Sequence, residues 1–321
     1  MASSLTSPVT IDGLDIMSGM LIPGAAKRHI VTRSTATDEN YRYWSQNAES
    51  GYHHTTIQAG HDACTSGRND IVLLSPDSHS QAASLTWTKN MTHLIGAYGP
   101  AVMNQRARIG HSVTVDPLMT VSGYGCTFSN IYTMYGAANT DLNCWIDSGG
   151  RNSYVNAMIG APNAAAACDG ATFCVLNLSG EGEYYFKNSS FGNDNVAWTN
   201  GDLIRVDTPC SPKLVFEDCL FLMTPDNGQV CYLDFGVGAG TGFIIFKNCI
   251  FMNRGTANTV AIGTTGIAAS TVIYCVNTAF INSTDIIAAA HEAKVVFPNV
   301  GGAVAVADEL IGLTTAFDHT V

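Results

Sequence analysis

From Tyr185 to Phe280 apolar and polar positions alternate in short runs, and the runs recur. Tyr185-Phe-Lys-Asn-Ser-Ser-Phe191, Val215-Phe-Glu-Asp-Cys-Leu-Phe221, Ile245-Phe-Lys-Asn-Cys-Ile-Phe251 and Tyr274-Cys-Val-Asn-Thr-Ala-Phe280 align with one another. Asn188, Asp218, Asn248 and Asn277 are spaced by 30, 30 and 29 residues, and Phe191, Phe221, Phe251 and Phe280 keep the same steps. Second apolar runs lie between these motifs: Leu203-Ile-Arg-Val206, Cys231-Tyr-Leu-Asp-Phe235 and Thr259-Val-Ala-Ile262. Period-2 runs punctuated by Gly, Asn, Asp and Pro predict strands. No unit carries a helical period long enough for a βα repeat, and a propeller blade needs a longer unit. A parallel β-helix remains, with about three short strands per turn stacked at roughly 4.8 Å.

In that geometry equivalent residues of successive turns lie above one another. Phe191, Phe221, Phe251 and Phe280 are predicted to stack inward, with Ser189, Cys219, Cys249 and Thr278 as a ladder of small residues beside them. Asn188, Asp218, Asn248 and Asn277 fall at a bend, since Asn and Asp tolerate the left-handed backbone region. Asn130 and Asn156 continue this column less regularly, and residues 161–171 read as a projecting loop.

The start of the chain differs. A solenoid must be capped, and residues 52–66 predict a capping helix with Ile57, His61 and Cys64 on one face. Residues 1–50 read as an extended N-terminal arm, residues 51–321 as the β-helix domain, residues 185–285 as its regular rungs and residues 286–321 as its C-terminal cap.

Composition narrows the function. With 13% charged and 46% hydrophobic residues, the chain is not intrinsically disordered, and no apolar run is long enough for a membrane span. A net charge of −11 opposes direct contact with nucleic acid. So few charges suggest a surface partly covered by copies or partners. The ten cysteines show no zinc spacing and read as buried free thiols. The opening MASSLTSPVTIDG lacks the features of a secretory signal, predicting folding in a reducing cytoplasm.

Residues 66–76 (SGRNDIVLLSP), 85–96 (LTWTKNMTHLIG) and 121–131 (VSGYGCTFSNI), following the helix, resemble pectate-lyase-like right-handed β-helix proteins. More narrowly, they are similar to β-helical virion proteins of tailed bacteriophages. The resemblance implies a right-handed solenoid whose first rung is capped by the helix.

Such scaffolds can carry polysaccharide chemistry, which needs converging carboxyl groups. Asp207 with Asp234, from adjacent turns, is the best pair, whereas neighbours Glu217 and Asp218 point to opposite sides of a strand. Arg151, Arg205 and Arg254 look scattered, and His53, His54, His61 and Asp62 read more simply as neutral cap residues than as a metal site. The sequence thus leads to the expectation of a non-enzymatic protein with no catalytic, cofactor-binding or metal residues and no cofactor. The expected role is a trimeric capsid decoration (cement) protein on the outer shell of a tailed phage, assembled in the host cytoplasm. Its expected partners are its own copies in a homotrimer and the major capsid protein, reached through the N-terminal arm, with neither nucleic acid nor membrane. The alternative is a tail spike or receptor-binding β-helix protein, with or without polysaccharide-degrading activity.

Overall fold

The computed structural model describes residues 26–297 apart from 34–38, 47, 98–106, 112–114, 116, 136–142, 163–172, 208–211, 227–230, 237–241, 257, 264–265 and 269, together with short strands between residues 10 and 23. The chain winds as an all-β, right-handed parallel solenoid. Three parallel sheets, of eleven, eight and eight strands, run along it. A typical turn places Gly182–Lys187 in the first sheet, Ser190–Trp198 in the second and Asp202–Val206 in the third. The next turn repeats this with Pro212–Glu217, Leu220–Pro225 and Cys231–Phe235. Over the repeat motifs the register is residue for residue, with Phe186 beside Phe216 and Phe246, and Phe191 beside Phe221, Phe251 and Phe280, and it shifts further along, between Gly192 and Ala197.

Stacking in register turns the sequence period into an aromatic core. Phe191, Phe221, Phe251 and Phe280 stack with successive ring centroids 5.1, 4.2 and 4.5 Å apart. A second column that the repeat alignment passed over, Phe128, Tyr154, Phe186, Phe216 and Phe246, stacks at 5.1, 5.0, 4.5 and 5.1 Å. The columns meet edge to face, as at Phe216 and Phe221, 5.3 Å apart. Each such pair contributes about 0.5–1.5 kcal/mol beyond the area it buries.

The bend between the first and second sheets has a conformational cause. Asn130, Asn156, Asn188, Asp218, Asn248 and Asn277 all have positive φ, between 48° and 56°. This conformation costs most L residues about 1–2 kcal/mol, and Asn and Asp least, because their short polar side chains bond locally. Here the bonds run between turns: Asn248 Nδ2 donates to Asp218 Oδ1 at 2.9 Å, and Asn277 Nδ2 to Asn248 Oδ1 at 3.3 Å. Beside the bend, Cys219 Sγ, Cys249 Sγ and Thr278 Oγ1 donate to the carbonyls of Phe186, Phe216 and Phe246. The eight described cysteines are all free and buried, while Cys168 and Cys210 lie outside the described residues.

The ends depart from expectation. The helix is shorter than 52–66: it spans Ile57–Ala63, with Thr56 as its N-cap accepting from the Ala59 N–H. His53–His54 is a short strand instead, paired with Ile30 and Val31. The first fifty residues are not one extended arm. Arg28–Val31 already belongs to the first sheet and pairs with Ile71–Leu74, Glu39–Gln46 is helical, and Thr10–Ile11, Leu14–Met17 and Met20–Pro23 form an antiparallel sheet. At the other end a 3-10 helix, Ala289–Lys294, and strand Val295–Val296 close the last described turn. The predicted tail beyond residue 297 and nearly all of the 161–171 loop lie outside the described residues. Among the described residues no helix is long and apolar enough to cross a membrane.

Candidate functional site

The outer side of the third sheet carries a group of charges that ordinary alternation would scatter. In strand Asp202–Val206 both Leu203 and Ile204 are wholly buried. With two consecutive side chains turned inward, Asp202 and Arg205 come to lie together outside, although strict period 2 would set residues three apart on opposite faces. Arg205 Nη2 donates to Asp202 Oδ2 at 2.7 Å, while Arg205 Nε faces Asp234 Oδ2 of the next turn at 3.7 Å. Asp202 Oδ1 also accepts from the Cys231 N–H at 3.2 Å. Asn177, on the preceding turn, donates to Asp207 Oδ2 at 2.7 Å.

One guanidinium therefore serves two carboxyl groups. It can neutralise one carboxylate, leaving the second to bear its desolvation uncompensated. The Asp202 side chain is 8% exposed and that of Asp234 21%. Burial, and then the charge of Asp234, push the Asp202 carboxyl up from 3.8 to about 7. Burial raises Asp234 as well, against the pull of Arg205 and with a further push from Asp207. Both carboxyl groups are thus held above the usual carboxylate range, Asp202 at about 7.

Of the residues singled out from sequence, Asp207 and Asp234 do share this neighbourhood. Arg205 is not scattered but central, and Asp202 was missed. Its run, Leu203 to Val206, was legible as a strand, but the break in alternation that sets Asp202 beside Arg205 was not. Glu217 is engaged elsewhere: it bonds Lys247 at 2.8 Å and the Tyr185 hydroxyl at 2.7 Å, and these bonds hold its carboxyl down at about 2. Asp218 belongs to the amide ladder of the bend. Arg151 pairs with Glu183 and Arg254 with Asp194, away from the cluster.

The four cap residues do not converge either. His53 Nε2 meets Thr32 Oγ1 at 2.8 Å, and His54 Nε2 meets His29 Nδ1 at 3.1 Å. His61 packs on Trp87, with centroids 4.3 Å apart, and burial followed by Lys89 lowers it to about 4, so it is neutral. A cavity of about 320 Å³ lies between Arg33, Thr55, Ile57 and Gln81, distant in the solenoid from the carboxyl pair.

No protein-family model matches the chain, and no curated protein matches it. Solved structures do resemble it. The pectin methylesterase of Aspergillus niger in deglycosylated form is 12% identical, over 87% of this chain and 82% of that one, with a TM-score of 0.48. A pectin methylesterase variant in complex with a hexasaccharide is 14% identical, over 81% and 82% of the two chains, with a TM-score of 0.41. What the chain itself shows is the fold, an all-β parallel β-helix. The expectation of a non-enzymatic protein is withdrawn: the solved structures that resemble the chain are pectin methylesterases. Nothing in these comparisons shows a phage origin or a virion role.

Proposed function

We propose that the protein cleaves a polysaccharide laid along the outer face of the third sheet, using the Asp202–Arg205–Asp234 cluster. The observation that carries the reading is a buried carboxyl pair sharing one guanidinium, with the Asp202 pKa raised to about 7. Acid–base cleavage of a glycosidic bond needs one carboxyl group protonated and another ionised at the working pH, and unequal environments supply that difference. Asp234, the more exposed member, meets the glycan. Asp202 beneath it supplies the proton, which passes through Asp234 to the departing glycosidic oxygen while water adds at the anomeric carbon and returns a proton to the pair, and Arg205 fixes the orientation of both. The fold likeness is compatible with polysaccharide as substrate, but the proposal rests on the cluster.

The test incubates the purified chain with neutral and acidic polysaccharides and follows new reducing ends alongside acid released from esters. Reducing ends that fall by about 100-fold or more in Asp202→Asn and Asp234→Asn support the reading. Acid release without chain scission would redirect it to ester hydrolysis. No product with any glycan, or unchanged rates in both variants, would end it.

One observation favours self-association in addition. On the last described turns Phe243 and Tyr274 of the first sheet are 37% and 38% exposed, and Ile250 and Ile281 of the second sheet are each 42% exposed, large apolar side chains left open to solvent. A sedimentation mass that falls to one chain on Ile250→Lys with Ile281→Lys would support the contact, and an unchanged mass would exclude it.

A further inference from the structure

At the opposite end of the solenoid three donors from three separate segments converge. His29 comes from strand Arg28–Val31, Cys64 from the C-cap of helix Ile57–Ala63, and Asp70 from the residue preceding strand Ile71–Leu74. All three are buried, and their ligand atoms lie within 4.8 Å of one another. We propose that His29, Cys64 and Asp70 bind a divalent transition-metal ion of the zinc type.

The decisive atom is His29 Nε2. The residue is 2% exposed, and this nitrogen has no hydrogen-bond partner, although Asp70 Oδ2 stands 3.9 Å away. An unsatisfied buried polar atom is destabilising, and a cation among these donors gives it a partner. The other ring nitrogen, Nδ1, is bonded to His54 Nε2 at 3.1 Å. A metal-bound imidazole is ordinarily held in this way, with its second nitrogen donating to a neighbour so that the first presents a lone pair. The same arrangement argues against a nucleophilic Cys–His–Asp relay. A relay uses one ring nitrogen for the thiol and the other for the carboxylate, whereas here Asp70 stands on the Nε2 side and Nδ1 is occupied by His54.

Donor chemistry selects the ion. Imidazole nitrogen, thiolate sulfur and carboxylate oxygen together suit zinc and its cobalt surrogate, and not magnesium or calcium, which prefer all-oxygen shells. Charge also closes: a thiolate and a carboxylate balance a divalent ion beside a neutral imidazole. Cys64 now donates its proton to the Gly60 carbonyl at 3.3 Å, and a coordinating thiol gives that proton up to solvent. Asp70 accepts from the Thr65 and Lys27 N–H groups at 2.7 and 2.8 Å and from Arg68 at 2.7 and 2.6 Å. The backbone bonds hold the carboxylate in place. Arg68, with a side chain 35% exposed, is the group that swings out as the ion enters. Binding would tie the first strand, the capping helix and the following strand at one point.

The test uses the full chain, stripped with chelator and free of any affinity tag, titrated with cobalt(II) and then zinc. One equivalent of cobalt should give a sulfur-to-cobalt charge-transfer band that zinc displaces, and zinc should raise the thermal midpoint. Cys64→Ser should abolish the band, His54→Phe should weaken binding about 10–100-fold, and Arg68→Gln should tighten it. Far-ultraviolet circular dichroism confirms that each variant is folded. Absence of the band in the wild-type chain, or its persistence in folded Cys64→Ser, would overturn the site. Weaker binding by Arg68→Gln would remove Asp70 from the ligand set.

Discussion

Replacing Asp202 with Asn should reveal the strain in the carboxyl pair as a change of stability with pH. A carboxyl raised from 3.8 to about 7 binds its proton more tightly folded than unfolded. Its contribution is fully present below about pH 4 and is lost as pH rises towards 7, at about 1.4 kcal/mol per pH unit. Summed over the window between 3.8 and about 7, the wild-type chain loses up to about 4 kcal/mol, and above that the loss is constant. Asn cannot ionise and so escapes it. Its amide cannot satisfy both Arg205 Nη2 and the Cys231 N–H, which now bond the two carboxyl oxygens at 2.7 and 3.2 Å. That defect costs about 1–3 kcal/mol at every pH. The expected signature is therefore a difference: the unfolding free energy of Asp202→Asn minus that of wild type, from urea titrations at about pH 4, 5.5, 7 and 8.5, climbs by up to about 4 kcal/mol and levels off above 7. A difference independent of pH would mean that Asp202 ionises normally, and one that falls with pH would mean that Arg205 stabilises its charge.

Three further outcomes test the scaffold. Phe216→Ala, in the middle of the stack, should destabilise by about 3–5 kcal/mol in urea unfolding, whereas Tyr124→Ala on the surface, 46% exposed, should change it by no more than about 0.5; equal effects would contradict the inward stacking. Asn248→Val should be less stable than Asn248→Gly by about 1 kcal/mol or more, because only glycine relieves the φ of 54°; a more stable valine variant would contradict the left-handed bend. The Glu217 carboxyl, followed by NMR, should titrate at about 2 through its bonds to Lys247 and Tyr185, with its favourable contribution present at higher pH and lost as pH falls through 2. A midpoint near 4.5 would contradict those bonds.

What the sequence disclosed follows from how a solenoid folds. Because each turn stacks residue on residue, the spacing of Asn188, Asp218, Asn248 and Asn277 is itself the structural register, and the bend and phenylalanine column could be read directly. The ends carry no such register. Arg28–Val31 pairs with strands that follow it at unequal distances, and no repeat in the sequence marks it as part of the first turn. The carboxyl cluster lay half in view. Asp207 and Asp234 occur one turn apart and were visible as a pair, but Asp202 joins Arg205 only because Leu203 and Ile204 both turn inward. His29, Cys64 and Asp70 meet through the packing of the capping helix on two strands, so nothing in their spacing announces them.

The most direct measurement of the central claim is the pH–rate profile of polysaccharide cleavage by the wild-type chain and by Asp202→Asn. If the carboxyl pair must hold a proton to act, the wild-type rate falls above about 7, the value to which Asp202 is raised, and Asp202→Asn lacks that falling limb and is slower throughout. A wild-type rate that stays level to pH 9, or the same falling limb in the variant, would contradict the assignment of catalysis to this pair.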